Sequence, residues 1–299
     1  MFLNGLITND MKTLAENRWM PAAFPTVQGR LIGAVRVVRL KDAFVIDTDA
    51  ESHEAVLKTV SRFTLAGDFH VKDLTTETAL LSVQGKRAVE LIEKVLETSV
   101  SDLPRDGVLE TNWQNTPVTI IRATHTAEDG FDILIDSAEG AQLRQALIDA
   151  DAQVVSSEVF EILRIEAGIA RFGHDMDETN VVTETNLDDA VSYTKGCYVG
   201  QEIVVRIKHR GHVAKKLTGL RFQTEKRIEP GTIIKSSDGK EIGKLTSTAF
   251  SPKLEATIAL GYVRYEFLNP GTTVVIEPEI QATTAELPFI RGSWYQDNG

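Results

Sequence analysis

The sequence predicts an α+β protein in two parts: a mixed body assembled from ferredoxin-like strand and helix units, then a small C-terminal β-barrel. Three observations carry this expectation. Between Leu31 and Ala150 strand-like and helical tracts follow a strand-helix-strand-strand-helix-strand rhythm, not the strict alternation of a doubly wound sheet. From Ala214 onward the texture changes to short strands punctuated by Gly/Pro turns. A chain of 299 residues, 42% hydrophobic and 25% charged, is also long enough for two cores.

The elements follow in order. Phe2 to Asp10 reads as a short helix running into a polar turn, and Trp19 to Phe24, with prolines at 21 and 25, as extended chain. Gly29 marks a turn. Leu31 to Leu40 is a Val/Ile-rich strand that returns through Lys41-Asp42 as Ala43 to Asp47. Ser52 to Phe63 is an amphipathic helix with Ala55, Val56, Val60 and Phe63 on one face and Ser52 as its expected cap. Asp68 to Asp73, Ala79 to Val83, Pro117 to Arg122 and Phe131 to Ile135 read as strands, and Arg87 to Glu97 and Gly140 to Ala150 as helices. Ser157 is expected to cap a helix over Glu158 to Ala167, which Gly168 stops, and 169–180 is a polar loop. In the last part, Leu217 to Phe222, Thr232 to Lys235, Ile242 to Ser247, Ala256 to Tyr262 and Thr273 to Ile276 are barrel strands, and Arg291 to Gly299 is expected to fray. The expected division is 1–212 for the body and 213–290 for the barrel.

Composition excludes several function classes. One cysteine rules out a disulfide framework, and with no signal-like N-terminus it points to a reducing, cytoplasmic setting. No apolar run approaches the length of a membrane span. A net charge of −11 argues against direct nucleic-acid binding by the surface at large. The glycines form neither a dinucleotide fingerprint nor a phosphate loop, and His209-x-x-His212 lacks a third ligand, so no metal site is expected. Adjacent side chains seldom orient each other, so His174-Asp175 is a weak catalytic pair.

The chemistry concentrates at Lys195-Gly196-Cys197-Tyr198-Val199-Gly200-Gln201-Glu202, which holds the single cysteine and runs into a tract, Ile203 to Ile207, that reads as a strand. A lone cysteine is either a small buried hydrophobe or a reactive thiol. Lys195 and nearby glycine N–H groups would favour the thiolate. Alone, Cys197 cannot hold an iron–sulfur cluster. It could donate one ligand to a shared one, or exchange with a small molecule. The residues leave these readings open.

The tract Lys195-Gly196-Cys197-Tyr198-x-Gly200-Gln201-Glu202 resembles the signature of the YgfZ-type folate-binding proteins. These are relatives of the glycine-cleavage T-protein and include a mitochondrial iron–sulfur assembly factor. Arg164-x-Glu166-x-Gly168 and Phe172-Gly173-x-Asp175 resemble the T-protein pattern too, so the likeness spans nearly the whole chain. The family's Phe-Leu-x-Gly-x-x-Thr-Asn-Asp tract stands here at Phe2 to Asp10, almost at the first residue, so that either the start lies upstream, which we expect, or the first strand is lost.

The resemblance implies a T-protein-like body of two intertwined ferredoxin-like subdomains, 1–212, with a C-terminal barrel, 213–290. It implies tetrahydrofolate or a derivative as ligand, with Glu184 on the amino-pyrimidine edge of the pterin and Tyr198, Gln201 and Arg206 as further contacts. It makes Cys197 the active thiol, with Lys195 and Glu202 shaping its surroundings. One departure counts against glycine-cleavage chemistry: where T-proteins carry an aspartate after the Gly turn, this chain has Gly33-Ala34. The implied function is a monomeric accessory protein supporting iron–sulfur assembly or repair, and through it tRNA-modifying client enzymes. The alternatives are folate-dependent one-carbon transfer and a scaffold in which Cys197 only packs.

Overall fold

The computed structural model describes the chain except for residues 1, 65–68, 225, 227, 278–279 and 297–299 and the side chains of 210 and 277. Its described strands form two open antiparallel sheets and one closed barrel.

The first sheet is β1 (Arg18–Pro25), β2 (Leu31–Arg39) and β3 (Phe44–Thr48), in that order. Helix α1 (Ala50–Ser61) covers one face, packing Val56 and Val60 against Val35, Val37 and Phe24, with Leu6, Ile7 and Met11 from the N-terminal segment closing the cluster. Ser52 does not cap this helix. It lies inside the first turn, buried, with its hydroxyl 2.7 Å from Thr48 Oγ1, while Asp49 occupies the cap position. The strand expected at 68–73 is also absent: 68 lies outside the described residues, and 69–73 form no strand. There Asp73 accepts the Thr75 N–H and O–H instead.

The second sheet runs β4 (Thr78–Gln84), β7 (Gly130–Asp136), β6 (Thr116–Arg122), β5 (Val108–Trp113), with α2 (Ala88–Leu96) and α3 (Gly140–Asp149) on one face. Strand β5 has no counterpart in the sequence reading, because Glu110, Thr111 and Asn112 dilute its apolar signal. It pairs with β6 across a tight hairpin whose Gln114 and Asn115 both have positive φ, +48° and +71°. The two sheets are joined by Trp19, whose Nε1–H donates to the Arg122 carbonyl at 2.8 Å. Arg36 of β2 adds an ion-pair link, bonding Asp132 of β7 at 2.6 Å and Asp47 of β3 at 2.7 Å.

Helix α4 (Ser157–Glu166) starts one residue earlier than expected, and the cap is Ser156, whose Oγ accepts the Val159 N–H at 3.3 Å. Gly168, at φ +68°, ends it. Helix α5 (Gln201–Arg210) stands where the sequence predicts a strand. The β-branched run Ile203, Val204, Val205 favours extended chain locally, and tertiary packing overrides it. Gly200 at φ +77° turns the chain, and Val204 is buried while Ile203 packs on Gly29.

The barrel closes in the order β10 (Glu241–Ser251), β11 (Ala256–Arg264), β8 (Lys215–Phe222), β13 (Ile280–Ala285), β12 (Thr273–Glu277), β9 (Ile233–Lys235). Strand β13, absent from the sequence reading, pairs with both β8 and β12 and removes two edges. Leu220, Phe222, Ile234, Ile242, Val263 and Val274 fill the interior.

Body and barrel meet at α4. Arg164, 2% exposed, bonds Asp175 at 2.6 Å and Ser247 of β10 at 2.9 Å, and Asp175 accepts the Thr246 hydroxyl at 2.6 Å. Glu166 is buried and accepts the Ser251 hydroxyl at 2.5 Å. These are the acids and the arginine of the T-protein-like pattern, and here they form the joint between the two parts.

Candidate functional site

The loop after α4 is laid against the start of β2. The Leu31 N–H donates to the Asn180 carbonyl at 3.0 Å and the Val182 N–H to the Gly29 carbonyl at 3.2 Å. Val182 is fully buried, which anchors a 3-10 turn, Val182–Glu184, and aims Glu184 at open space. Its carboxylate is half-buried, accepts the Val181 N–H at 3.3 Å and lines a cavity of about 590 Å³ with Ile207 of α5, His212, Val213 and Ala214. Burial pushes the Glu184 pKa up, against the pull of Lys215, the Val181 N–H, Asn180 and Arg30. The His212 ring stacks on Tyr265 with centroids 3.9 Å apart.

Lys215 follows Ala214 and opens onto a second cavity of about 560 Å³, between the 174–180 loop and the barrel. Asp177, Asn180, Lys244, Thr246 and Tyr262 are among its walls. Lys215 Nζ lies 4.9 Å over the Tyr262 ring. The Tyr262 hydroxyl is buried and has no hydrogen-bond partner among the described residues, and burial drives its pKa up strongly, with Glu184 adding to the rise. A buried donor in that condition is suited to an incoming acceptor. In the sequence Tyr262 is only the end of a strand, and His212 only half of an unconvincing metal pair; nothing local marks either as a cavity wall. Lys215 belongs to the stretch 195–227, which carries nine Lys/Arg against two Glu and of which 225 and 227 lie outside the described residues.

The cysteine motif occupies the other end of α5. Cys197 is exposed. Lys195 is buried and its ammonium points into the fold, donating to the carbonyls of Asn4, Ile7 and Asn9. Tyr198 is buried with its hydroxyl unpartnered among the described residues, and burial raises its pKa to about 12. Gln201 is half-buried in the first turn of α5, with Glu202 exposed beside it and Arg206 exposed farther along. None of these residues lines either cavity. Ile207, which does, lies roughly 9 Å along the helix axis from Gln201. The helix therefore connects the thiol loop to the Glu184 cavity without bringing them into contact.

Two pairs of polar residues from the sequence reading separate. Asp175 is sealed in the Arg164 joint, while His174 is exposed and meets Arg171. His209 stays on α5 and His212 stacks beyond it, and no group of three or more possible metal ligands occurs among the described residues.

Gly33 of β2 faces α1, where an added Cβ would stand 2.7 Å from Val56 Cγ2 and 3.0 Å from Ser52 Cβ. The side chains packed there exclude an acid. Three acids of the neighbouring elements are committed elsewhere: Asp47 of β3 and Asp132 of β7 to Arg36, and Asp49, at the cap of α1, to the Phe172 N–H at 3.1 Å. Gly33→Asp is therefore expected to destabilise the protein by about 2 kcal/mol or more through overpacking and a buried charge, and to confer no aminomethyl transfer. A thermal melt with a wild-type midpoint would contradict this.

The comparisons with known proteins agree with this architecture. The model of the GCVT N-terminal domain matches residues 1–195, and that of the glycine cleavage T-protein C-terminal barrel domain matches residues 215–290. The chain belongs to the glycine cleavage T-protein family. Among relatives of this T-protein family member, an aminomethyltransferase of Rubrobacter xylanophilus is 30% identical over 97% of this chain and 77% of its own length. One of Thermotoga neapolitana is 28% identical over 98% and 81%. The crystal structure of the glycine cleavage system aminomethyltransferase T from Bartonella henselae superposes with a TM-score of 0.89 at 23% identity, covering 97% of this chain and 81% of that one, and so shares the T-protein fold.

Proposed function

We propose that this T-protein family member binds a reduced folate in the cavity beside Glu184 and takes part in folate-dependent one-carbon transfer. The observation that carries the reading is the Glu184 carboxylate, half-buried and facing a cavity of about 590 Å³. Two acceptor oxygens on one carboxylate suit the parallel N–H donors of an amino-pyrimidine edge. Tetrahydrofolate would supply the one-carbon carrier, and Glu184 would orient it. The aminomethyltransferases among the relatives support transfer as the use of that ligand. Gly33-Ala34 argue that the donor is not the aminomethyl group of the glycine-cleavage reaction.

A second reading has its own support: a YgfZ-type accessory protein for iron–sulfur cluster assembly or repair, and thereby for tRNA-modifying enzymes. Its support is Cys197, exposed within the signature tract at the head of α5. Titration with tetrahydrofolate, followed by the fluorescence of the three tryptophans, tests the ligand common to both. Saturable quenching is expected, and its absence would remove both readings. Cys197→Ala separates them. It should leave folate affinity unchanged and abolish iron–sulfur enzyme activity in cells only under the second.

A further inference from the structure

Lys195 stands two residues before the thiol, yet its ammonium is turned away from solvent. Residue 195 is 7% exposed, and Nζ donates to three carbonyl oxygens of the N-terminal segment: Asn4 at 2.6 Å, Ile7 at 2.9 Å and Asn9 at 2.6 Å. Three N–H donors thus meet three acceptors, which satisfies a buried cation that would otherwise be costly. Nζ also lies 5.0 Å over the Tyr198 ring. Burial lowers the Lys195 pKa to about 8, with Asp10 opposing the fall and Lys12 adding to it. The titratable groups around this cation and its ring partner are Asp10, Lys12, Tyr198 and, beside Tyr198, Tyr193.

The same two segments are laced together on either side. The Ser192 N–H donates to the Thr8 carbonyl at 3.0 Å and the Val199 N–H to the Gly5 carbonyl at 3.0 Å. The Thr8 hydroxyl donates to the Ala190 carbonyl at 2.5 Å, and Asn9 Nδ2 to the Asp189 carbonyl at 2.9 Å. Cys197, which is exposed, lies along the chain between Ser192 and Val199. Beyond it Gly200 leaves no room for a side chain, since an added Cβ would stand 2.4 Å from the Thr26 carbonyl oxygen.

We infer that Lys195 is a positioning residue: it rivets the 192–199 loop to the carbonyls of Asn4, Ile7 and Asn9 and so sets where Cys197 is presented, without acting on the sulfur. This role of Lys195 does not depend on a folate in the Glu184 cavity. It gives the thiol a fixed address whichever chemistry uses it.

The test uses the full chain as wild type, Lys195→Met and Lys195→Gln, the glutamine retaining two N–H donors in case the methionine variant does not fold. Hydrogen exchange is read at the Ser192 and Val199 amides and, as a remote reference, at Ile133 in β7. The titration midpoint of the single thiol is read from the pH dependence of alkylation by iodoacetamide. The expected result is at least tenfold faster exchange at 192 and 199 with Ile133 unchanged, and an unmoved thiol midpoint. A raised midpoint with unchanged exchange would overturn the proposal, because Lys195 would then act on the sulfur through its charge. Equal acceleration at all three amides would also overturn it, by reducing Lys195 to general stability.

Discussion

Replacing Glu184 by glutamine is expected to weaken tetrahydrofolate binding by roughly 10- to 100-fold, the range set by losing a charge-assisted acceptor worth about 1.5–3 kcal/mol. The amide keeps one acceptor oxygen but turns a donor toward the ligand's own N–H. The pH dependence gives a second signature. Burial raises the Glu184 pKa above the usual glutamate range, so the carboxyl takes up its proton earlier than an exposed glutamate as the pH falls. Wild-type affinity should therefore be greatest at neutral pH and decline as the pH drops through that raised value. The glutamine variant should show no such decline. Fluorescence titrations across the acid range measure both, and equal affinities for the two proteins at neutral pH would dismiss Glu184 as a ligand contact.

The largest loss of stability is expected from Asp175→Ala, at about 3–5 kcal/mol, because it breaks a buried ion pair and leaves Arg164 short of a partner. Asp175 is 1% exposed and takes bonds from Arg164, from the Arg171 N–H and from Thr246 of the barrel. Its loss should also loosen the joint between α4 and β10, so that urea unfolding separates into two transitions in place of one. His174→Ala, one residue away on the surface, should change stability by no more than about 0.5 kcal/mol. Wild-type unfolding of the Asp175 variant would mean that Glu161 alone neutralises Arg164.

These two residues also show how far the sequence can be read. His174-Asp175 looks like one polar pair on a loop, but neighbours in sequence need not share an environment. Asp175 belongs to the joint because α4 aims Arg164 at it. Glu184 is legible only through the likeness to the T-protein pattern. By composition its own neighbourhood, Val182-Thr183-Glu184, reads as a plain turn. Ile207, His212 and Lys215 come near it only once α5 and the barrel dock.

The secondary structure shows the same division. Strands β2, β6 and β7 and helices α2 and α3 are legible because their apolar residues recur at the period of the element they form. Strands β5 and β13 are not, because each is half polar and is held by its neighbours in the sheet, not by its own pattern. Helix α5 reads as a strand because β-branched residues favour extended chain locally, and only packing on the Gly29 turn decides for a helix.

What the amino-acid order determined by itself is the class of the fold, the barrel at its C-terminal end, the family pattern and the single thiol. Periodicity, turn residues and residue identity are local properties, and they survive without coordinates. What only the tertiary structure decided is direction: that the Lys195 ammonium turns inward to three carbonyls, that Asp175 joins body to barrel, and that Glu184 and Cys197 stand at opposite ends of α5. The physical reason is that hydrogen bonds and ion pairs are settled by which segments lie side by side in space, and residues nearly two hundred positions apart meet here through backbone groups that carry no signature in the sequence.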